Sequence, residues 1–271
     1  MAFANSWQMF KTSAAVLKSR KELAVFPVIS GVASVAVTAT FIVPIVATDL
    51  WDTSSAATYV LFGLMYLASA FVTVFFNAAL ISQADVALRG GDPSVAGGIS
   101  IAAGKWPRIL VWAAISATVS QLLRVLQDRV GFLGTILAAI AGTAWQVISY
   151  LVLPKMVLAD RGVVDAVKDS AAAMKRTWGE NVVGNAGLGI FGFLLAVPGV
   201  LLIIASVSIL GSNVVAALMV LLVGIAWLIV AAVAVSALSG IYQTALYRFS
   251  VDGIVPGAFA EARLAEAFRQ R

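Results

Sequence analysis

From Val214 to Ala237 the chain reads VVAALMVLLVGIAWLIVAAVAVSA, 24 residues without a charge. A helix needs about 20 mostly apolar residues to cross a hydrocarbon core about 30 Å thick. The stretch therefore predicts a transmembrane helix. Immediately before it, Gly211-Ser212-Asn213 reads as a tight turn, and the run Ala186 to Leu210 upstream is apolar again. Together they predict an antiparallel hairpin. Four further runs follow the same logic. The spans fall at about 25–47, 58–81, 109–125, 132–153, 186–210 and 214–237, six in all. The third is the weakest, holding Ser116, Thr118, Ser120 and Gln121, with Arg124 near its end.

Composition agrees. Of the 271 residues 61% are apolar and only 11% charged, and the mean hydropathy is +0.99. Average soluble domains run roughly 45–50% apolar and 25% charged. A soluble fold could not cover itself with so few polar groups. The fold class expected is all-α: a polytopic membrane helix bundle forming one domain over residues 1–271.

Sixteen of the 18 Lys and Arg residues fall on one side of a six-span arrangement. The other side receives Arg124, Arg129, Asp49 and Asp52. Cytoplasmic loops carry the excess of Lys and Arg, so both termini are expected in the cytoplasm. The net charge of +5 is thereby explained without nucleic acid. The first apolar run is too long, and starts too late, for a cleaved signal.

Three segments on the basic side can be laid over one another. Residues 10–18 read FKTSAAVLK and residues 167–175 read VKDSAAAMK, sharing K-x-S-A-A-x-φ-K, where φ is apolar. The second segment, Ser100 to Lys105, keeps only the Ser-to-Lys interval. Each precedes a pair of spans. In the first, Phe3, Trp7, Phe10, Ala14 and Leu17 form an apolar stripe, with Lys11 and Lys18 on another face. In the third, Val163, Val167, Ala171, Met174 and Trp178 form the stripe, with Lys168, Lys175 and Arg176 outside it. The architecture predicted is three hairpins, each preceded by a cytoplasmic amphipathic helix (3–21 and 163–178 the clearest), and a C-terminal helix over about 256–271. Such helices either lie in the headgroup plane, where each Lys attracts anionic lipid by about 1 kcal/mol, or pack on the ends of the spans; the two can coexist.

The segments Ala144-Trp145-Gln146 to Val152-Leu153-Pro154, 165–170 (DAVKDS) and 175–180 (KRTWGE) resemble a bacterial family of six-span membrane proteins of unknown function. Asn5-Ser6-Trp7 and 21–27 (KELAVFP) resemble that family's opening. The resemblance covers nearly the whole chain and implies a bacterial inner-membrane protein. More distantly, the alternation of amphipathic helix and hairpin is similar to the membrane domain of glycerophosphoryl diester phosphodiesterases. Neither resemblance implies an activity or a catalytic residue.

The chain has no Cys and no His, which removes thiolate nucleophiles, His-based acid–base pairs and His or Cys metal sites. The 13 carboxylates are scattered. Gly90-Gly91-Asp92-Pro93 and Gly97-Gly98 lack the Lys and Ser/Thr of a phosphate loop and read as turns. No catalytic residue, metal or cofactor is expected. Gln121, Arg124 and Asp128 share a helical face, either as the polar mouth of a cavity or as a snorkelling Arg paired with Asp128. Pro198-Gly199 predicts a kink or break within span five, whereas Pro44 and Pro154 sit at span ends. Asn77, Gln146 and Asn185 read as interhelical hydrogen bonders. Trp51, Trp106, Tyr150 and Trp178 fall near predicted interfaces, and Gly134, Ala138 and Gly142 give a small-residue face suited to core packing or a homo-oligomer. Two functions are consistent with this inventory. One is a non-enzymatic protein organising anionic lipid or a membrane partner through its amphipathic helices. The other is a small transporter or channel for a hydrophobic or weakly polar solute, with a cavity near span five.

Overall fold

The computed structural model describes residues 2–47, 56–129 and 132–252. Among them the regular structure is helical, with no strand. Helix α1 spans Ala2–Ser19, and one 3-10 turn, Lys21–Ala24, leads into α2, Val25–Ala47. Helix α3 is Ala56–Leu88, α4 Val95–Gly104, α5 Trp106–Arg129 and α6 Phe132–Leu158. Helix α7 is Val163–Ile209 and α8 Val214–Tyr247, followed by a π turn, Arg248–Asp252. Six of these helices are long and apolar enough to cross a membrane. The C-terminal segment expected as helix over about 256–271 lies outside the described residues.

Several helices outrun the predicted spans. At 1.5 Å per residue, the 33 residues of α3 and the 34 of α8 each extend about 50 Å. About 20 residues suffice for the hydrocarbon. Their last turns therefore project beyond it at the end where the Lys and Arg residues collect, called here the basic end. The main buried cluster lies there, and includes Leu23, Phe26, Leu80, Ile81, Ile109, Val152, Met156, Ile241 and Tyr242.

Helix α7 corrects two expectations. The segment 163–178 and span five form one continuous helix of 47 residues, and it does not break at Pro198-Gly199. The reason is the packing of α7 on α8. Gly192, Gly199 and Ser206 on α7, and Ala217, Gly224 and Ala231 on α8, recur every seven residues and face the seam. Without a hydrophobic drive between helices in lipid, small residues let backbones approach and gain van der Waals contact. A Cβ placed on Gly224 would lie 3.1 Å from the Gly199 carbonyl oxygen. Trp227 Nε1 donates to the Leu195 carbonyl at 2.8 Å, in the turn whose bonding Pro198 disturbs.

Pro154 likewise fails to end its helix, which continues to Leu158. Proline lacks an N–H, so the carbonyl four residues earlier, Tyr150, loses its helical partner. The side-chain amide of Gln243, on α8, donates to that carbonyl. Gly97 and Gly98, expected in a turn, lie inside α4. Gly98 backs onto Phe26, where a Cβ would come within 2.5 Å of the ring. Ser94 caps α4 by accepting from the Gly97 N–H at 3.1 Å. The buried Gln83 in turn accepts from the Ser94 N–H at 2.8 Å.

Candidate functional site

Two constellations at and just below the basic end carry polar chemistry. The first is built by the repeated segments. Both copies of the shared serine are buried: Ser13 is 0% and Ser170 1% exposed. Ser170 Oγ donates to the Ile148 carbonyl of α6 at 2.5 Å. Val16 and Ala166 are buried beside them, and Phe10 stacks on Phe191 of α7 with ring centroids 4.8 Å apart. The buried arc is thus rotated from the predicted stripe towards Ser13 and Val16. Lys11, Lys18 and Lys168 are left exposed on the opposite side. The side chains of Lys175 and Arg176 lie outside the described residues. The second segment departs from the pattern: Ser100 is exposed, and Ala102 with Gly98 takes the buried face.

Ion pairs tie these segments down. Arg20, at the entry to the first hairpin, pairs with Asp92 beyond its exit. Lys105 and Arg108, at the entry to the second, both pair with Asp160 beyond its exit, Arg108 Nη1 at 2.8 Å. The hydrogen bond from Lys105, with the positive charges of Lys105 and Arg108, holds the Asp160 carboxyl below the usual carboxylate range. Asp160 also has φ of 53°, a left-handed conformation that Asp tolerates better than most side chains.

Asp85 is the ionic centre that the sequence reading missed. Its side chain is 8% exposed, and its carboxylate meets Arg248 Nε at 2.5 Å and Arg89 Nη2 at 2.8 Å. The pair joins the end of α3 to the turn after α8, 163 residues apart in sequence. A helix extended beyond the hydrocarbon was the signal available: Asp85 lies past the predicted end of span two. Lys155, at the end of α6, is also buried.

The second constellation is an open cavity of about 320 Å³ between α3, α5, α6 and the end of α8. Asn77, Ser116, Ser120, Gln146, Ser149 and Gln243 supply its polar lining, and Trp112, Trp145 and Tyr150 its aromatic walls. Among the described residues no charged side chain lines it. Trp112 and Trp145 sit with ring centroids 5.8 Å apart. A second depression of about 340 Å³ adjoins it along α3 and α5, sharing Val74, Ser116 and Ser120 and adding Tyr66, Ser69 and Thr73. Asn77 and Gln146, expected to bond across helices, line this cleft instead. Tyr150 does so too, and its hydroxyl donates to the Ser239 carbonyl at 3.4 Å.

The cleft is not where the sequence reading placed a cavity. Pro198 and Gly199 do not line it, nor do Gln121 and Arg124, which are exposed on the outer part of α5. The side chain of Asp128 lies outside the described residues. The residues that do form the cleft are uncharged and spread over four helices, so no local spacing groups them.

No curated protein and no solved structure matches the chain. A family match covers residues 56–257, which takes in five of the six apolar helices, both sides of the cleft and the Asp85–Arg248 pair. Over most of its length, then, the chain belongs to DUF6159, a family of unknown function.

Proposed function

We propose that this is a non-enzymatic, multi-pass protein of the bacterial cytoplasmic membrane that organises anionic lipid, or a membrane partner, around a basic collar. Both termini face the cytoplasm in this reading, because the basic end is the cytoplasmic one. One observation carries it: Lys11, Lys18 and Lys168 are exposed on segments whose opposite faces are docked through Ser13, Val16, Ala166 and Ser170. Held by that docking, the lysines would meet phosphate headgroups if the rim of the bundle lies at the membrane surface. Lys175 and Arg176 extend the set by sequence. Each cation near an anionic surface is worth about 1 kcal/mol, so the collar supports retention of several lipids.

Native mass spectrometry of protein released from a mild detergent tests the reading. The wild type is expected to retain anionic phospholipid, and Lys11→Glu, Lys18→Glu and Lys168→Glu together to lose it. Equal retention by wild type and the triple variant would overturn it. The second reading, passage of a weakly polar solute, is favoured by the uncharged cleft alone. Solute flux in liposomes that falls on blocking the cleft would promote it over the first.

A further inference from the structure

We infer that the cleft between α3, α5, α6 and α8 is a binding site for the uncharged, hydroxyl-bearing moiety of a small amphiphile or polyol. The first argument is charge. Bringing an ion into a partly desolvated cleft is unfavourable unless an opposite charge meets it, and among the described residues no charged side chain lines this one. A phosphate or ammonium headgroup is therefore a poor occupant. The second is chemistry. Three carboxamides (Asn77, Gln146 and Gln243) and three hydroxyls (Ser116, Ser120 and Ser149) offer donors and acceptors together, as a ligand hydroxyl requires. Trp112 and Trp145 add flat apolar walls suited to the C–H face of a polyol or sugar.

Third, the lining is unfinished. Ser149 Oγ is buried and has no hydrogen-bond partner among the described residues. Buried polar groups are ordinarily satisfied, so an orphan hydroxyl in the wall of a cavity points to a missing acceptor or donor. Size agrees: about 320 Å³ is at the small end of ligand cavities, enough for a headgroup and not for a whole lipid. Depth agrees as well. Trp112 lies six residues into α5 from the basic end, and Val74 and Asn77 fall near the 20th residue of α3 from its far end. The cleft is thereby set at the boundary between headgroups and acyl chains, and the adjoining groove past Ala117 and Ala70 leads on into the hydrocarbon.

The lysine collar plays no part in this argument, so the two readings fail separately. The test uses the full chain in phosphatidylcholine nanodiscs, which avoids sugar detergents, and follows tryptophan fluorescence on titration with dioctanoylglycerol and, separately, with glycerol. Saturable binding of dioctanoylglycerol is expected, at least about fivefold weaker in Ser149→Ala and in Gln146→Leu, the loss of one hydrogen bond. Ser149→Ala removes an unsatisfied buried hydroxyl, so its thermal stability is expected to match or exceed the wild type. A binding loss in that variant cannot then be misfolding. Lys11→Glu/Lys18→Glu/Lys168→Glu is expected to bind dioctanoylglycerol normally. Binding of the diacylglycerol without glycerol assigns the site to a lipid headgroup. Equal binding of both, with the same sensitivity to Ser149→Ala, assigns it to a free polyol. Absence of saturable binding by either, or binding indifferent to both cleft variants, would overturn the inference.

Discussion

Replacing Asp85 by Asn keeps the shape of the side chain and removes its charge. In the native protein that carboxylate, 8% exposed, faces Arg248, itself 15% exposed, at 2.5 Å. Arg89 reaches the second oxygen at 2.8 Å but is 63% exposed. The two limbs differ in energy accordingly. The Arg89 contact is a surface-type pair worth at most about 1 kcal/mol. Loss of the counter-charge to Arg248 leaves a guanidinium buried beside a neutral amide, which costs about 3–5 kcal/mol. Arg248→Met is milder, about 2 kcal/mol, because Asp85 keeps Arg89 as a counter-charge. The double variant Asp85→Asn/Arg248→Met leaves neither member of the buried pair charged and is expected to recover most of the loss. Equilibrium unfolding in mixed micelles, read by tryptophan fluorescence, supplies the four corners of the cycle. A coupling energy of about 2 kcal/mol or more is expected. Additive losses, with coupling below about 0.5 kcal/mol, would refute the claim that this pair locks the end of α3 to the end of α8.

Three further substitutions probe the seam, a glycine outside it and the Asp160 ion pairs. Gly224→Ala sets a Cβ 3.1 Å from the Gly199 carbonyl oxygen and 3.0 Å from Ile203 Cγ1, and is expected to lower stability by about 1–3 kcal/mol. Gly63→Ala meets nothing within 4 Å on its helix and is expected to be neutral or slightly stabilising in the same unfolding assay. Asp160→Asn addresses pH. The carboxyl of Asp160 is depressed in the folded protein, so its contribution is complete above the unfolded value near 3.8 and disappears as pH falls through the lower folded value. A melting-temperature profile from pH 6 to pH 2 should therefore drop less steeply below pH 4 in the variant. Added salt is expected to shrink the difference, since the side chain is exposed.

The six helices were legible because hydropathy over about 20 residues is a one-dimensional signal, and the bilayer imposes it. Helix ends were not, and the reason is specific. Pro154 was read as a terminator from its own chemistry. The group that lets α6 continue, the Gln243 amide on the Tyr150 carbonyl, comes from a residue 93 positions away. Pro198 was read as a kink or break for the same reason, while the seam along which α7 continues as helix depends on Gly224 and Trp227 of the next helix. The repeat was legible, but its meaning was half legible. The lysines of K-x-S-A-A-x-φ-K carry the visible signal, yet Ser13 and Ser170 are among the most buried polar groups of the described residues. Residues of the cleft had no signature, because uncharged Ser, Asn and Gln at scattered positions form a site only after four helices meet.

Cohesion in this fold is divided between two physical regimes, and the division places the candidate sites. Within hydrocarbon, burying an apolar side chain against another gains little over burying it against lipid, so helices adhere through small-residue contact. The α7–α8 seam is the clearest instance. Beyond the hydrocarbon the ordinary hydrophobic effect returns, and large side chains such as Phe26, Leu80, Met156 and Tyr242 are buried there at 0–1% exposure. Ion pairs belong to the same level, because charges are tolerable only where water or headgroups remain near. Arg20 with Asp92, and Lys105 and Arg108 with Asp160, each join the entry of a hairpin to the loop beyond its exit, a structural repeat more regular than the sequence repeat beside it. The three hairpins are thus bound together mainly at the basic end. The uncharged cleft sits where that bound region gives way to the hydrocarbon. A polar cavity at this depth is reachable by a molecule already in the leaflet, with its acyl chains left in the bilayer, and for that reason an amphiphile fits it better than a solute arriving from water.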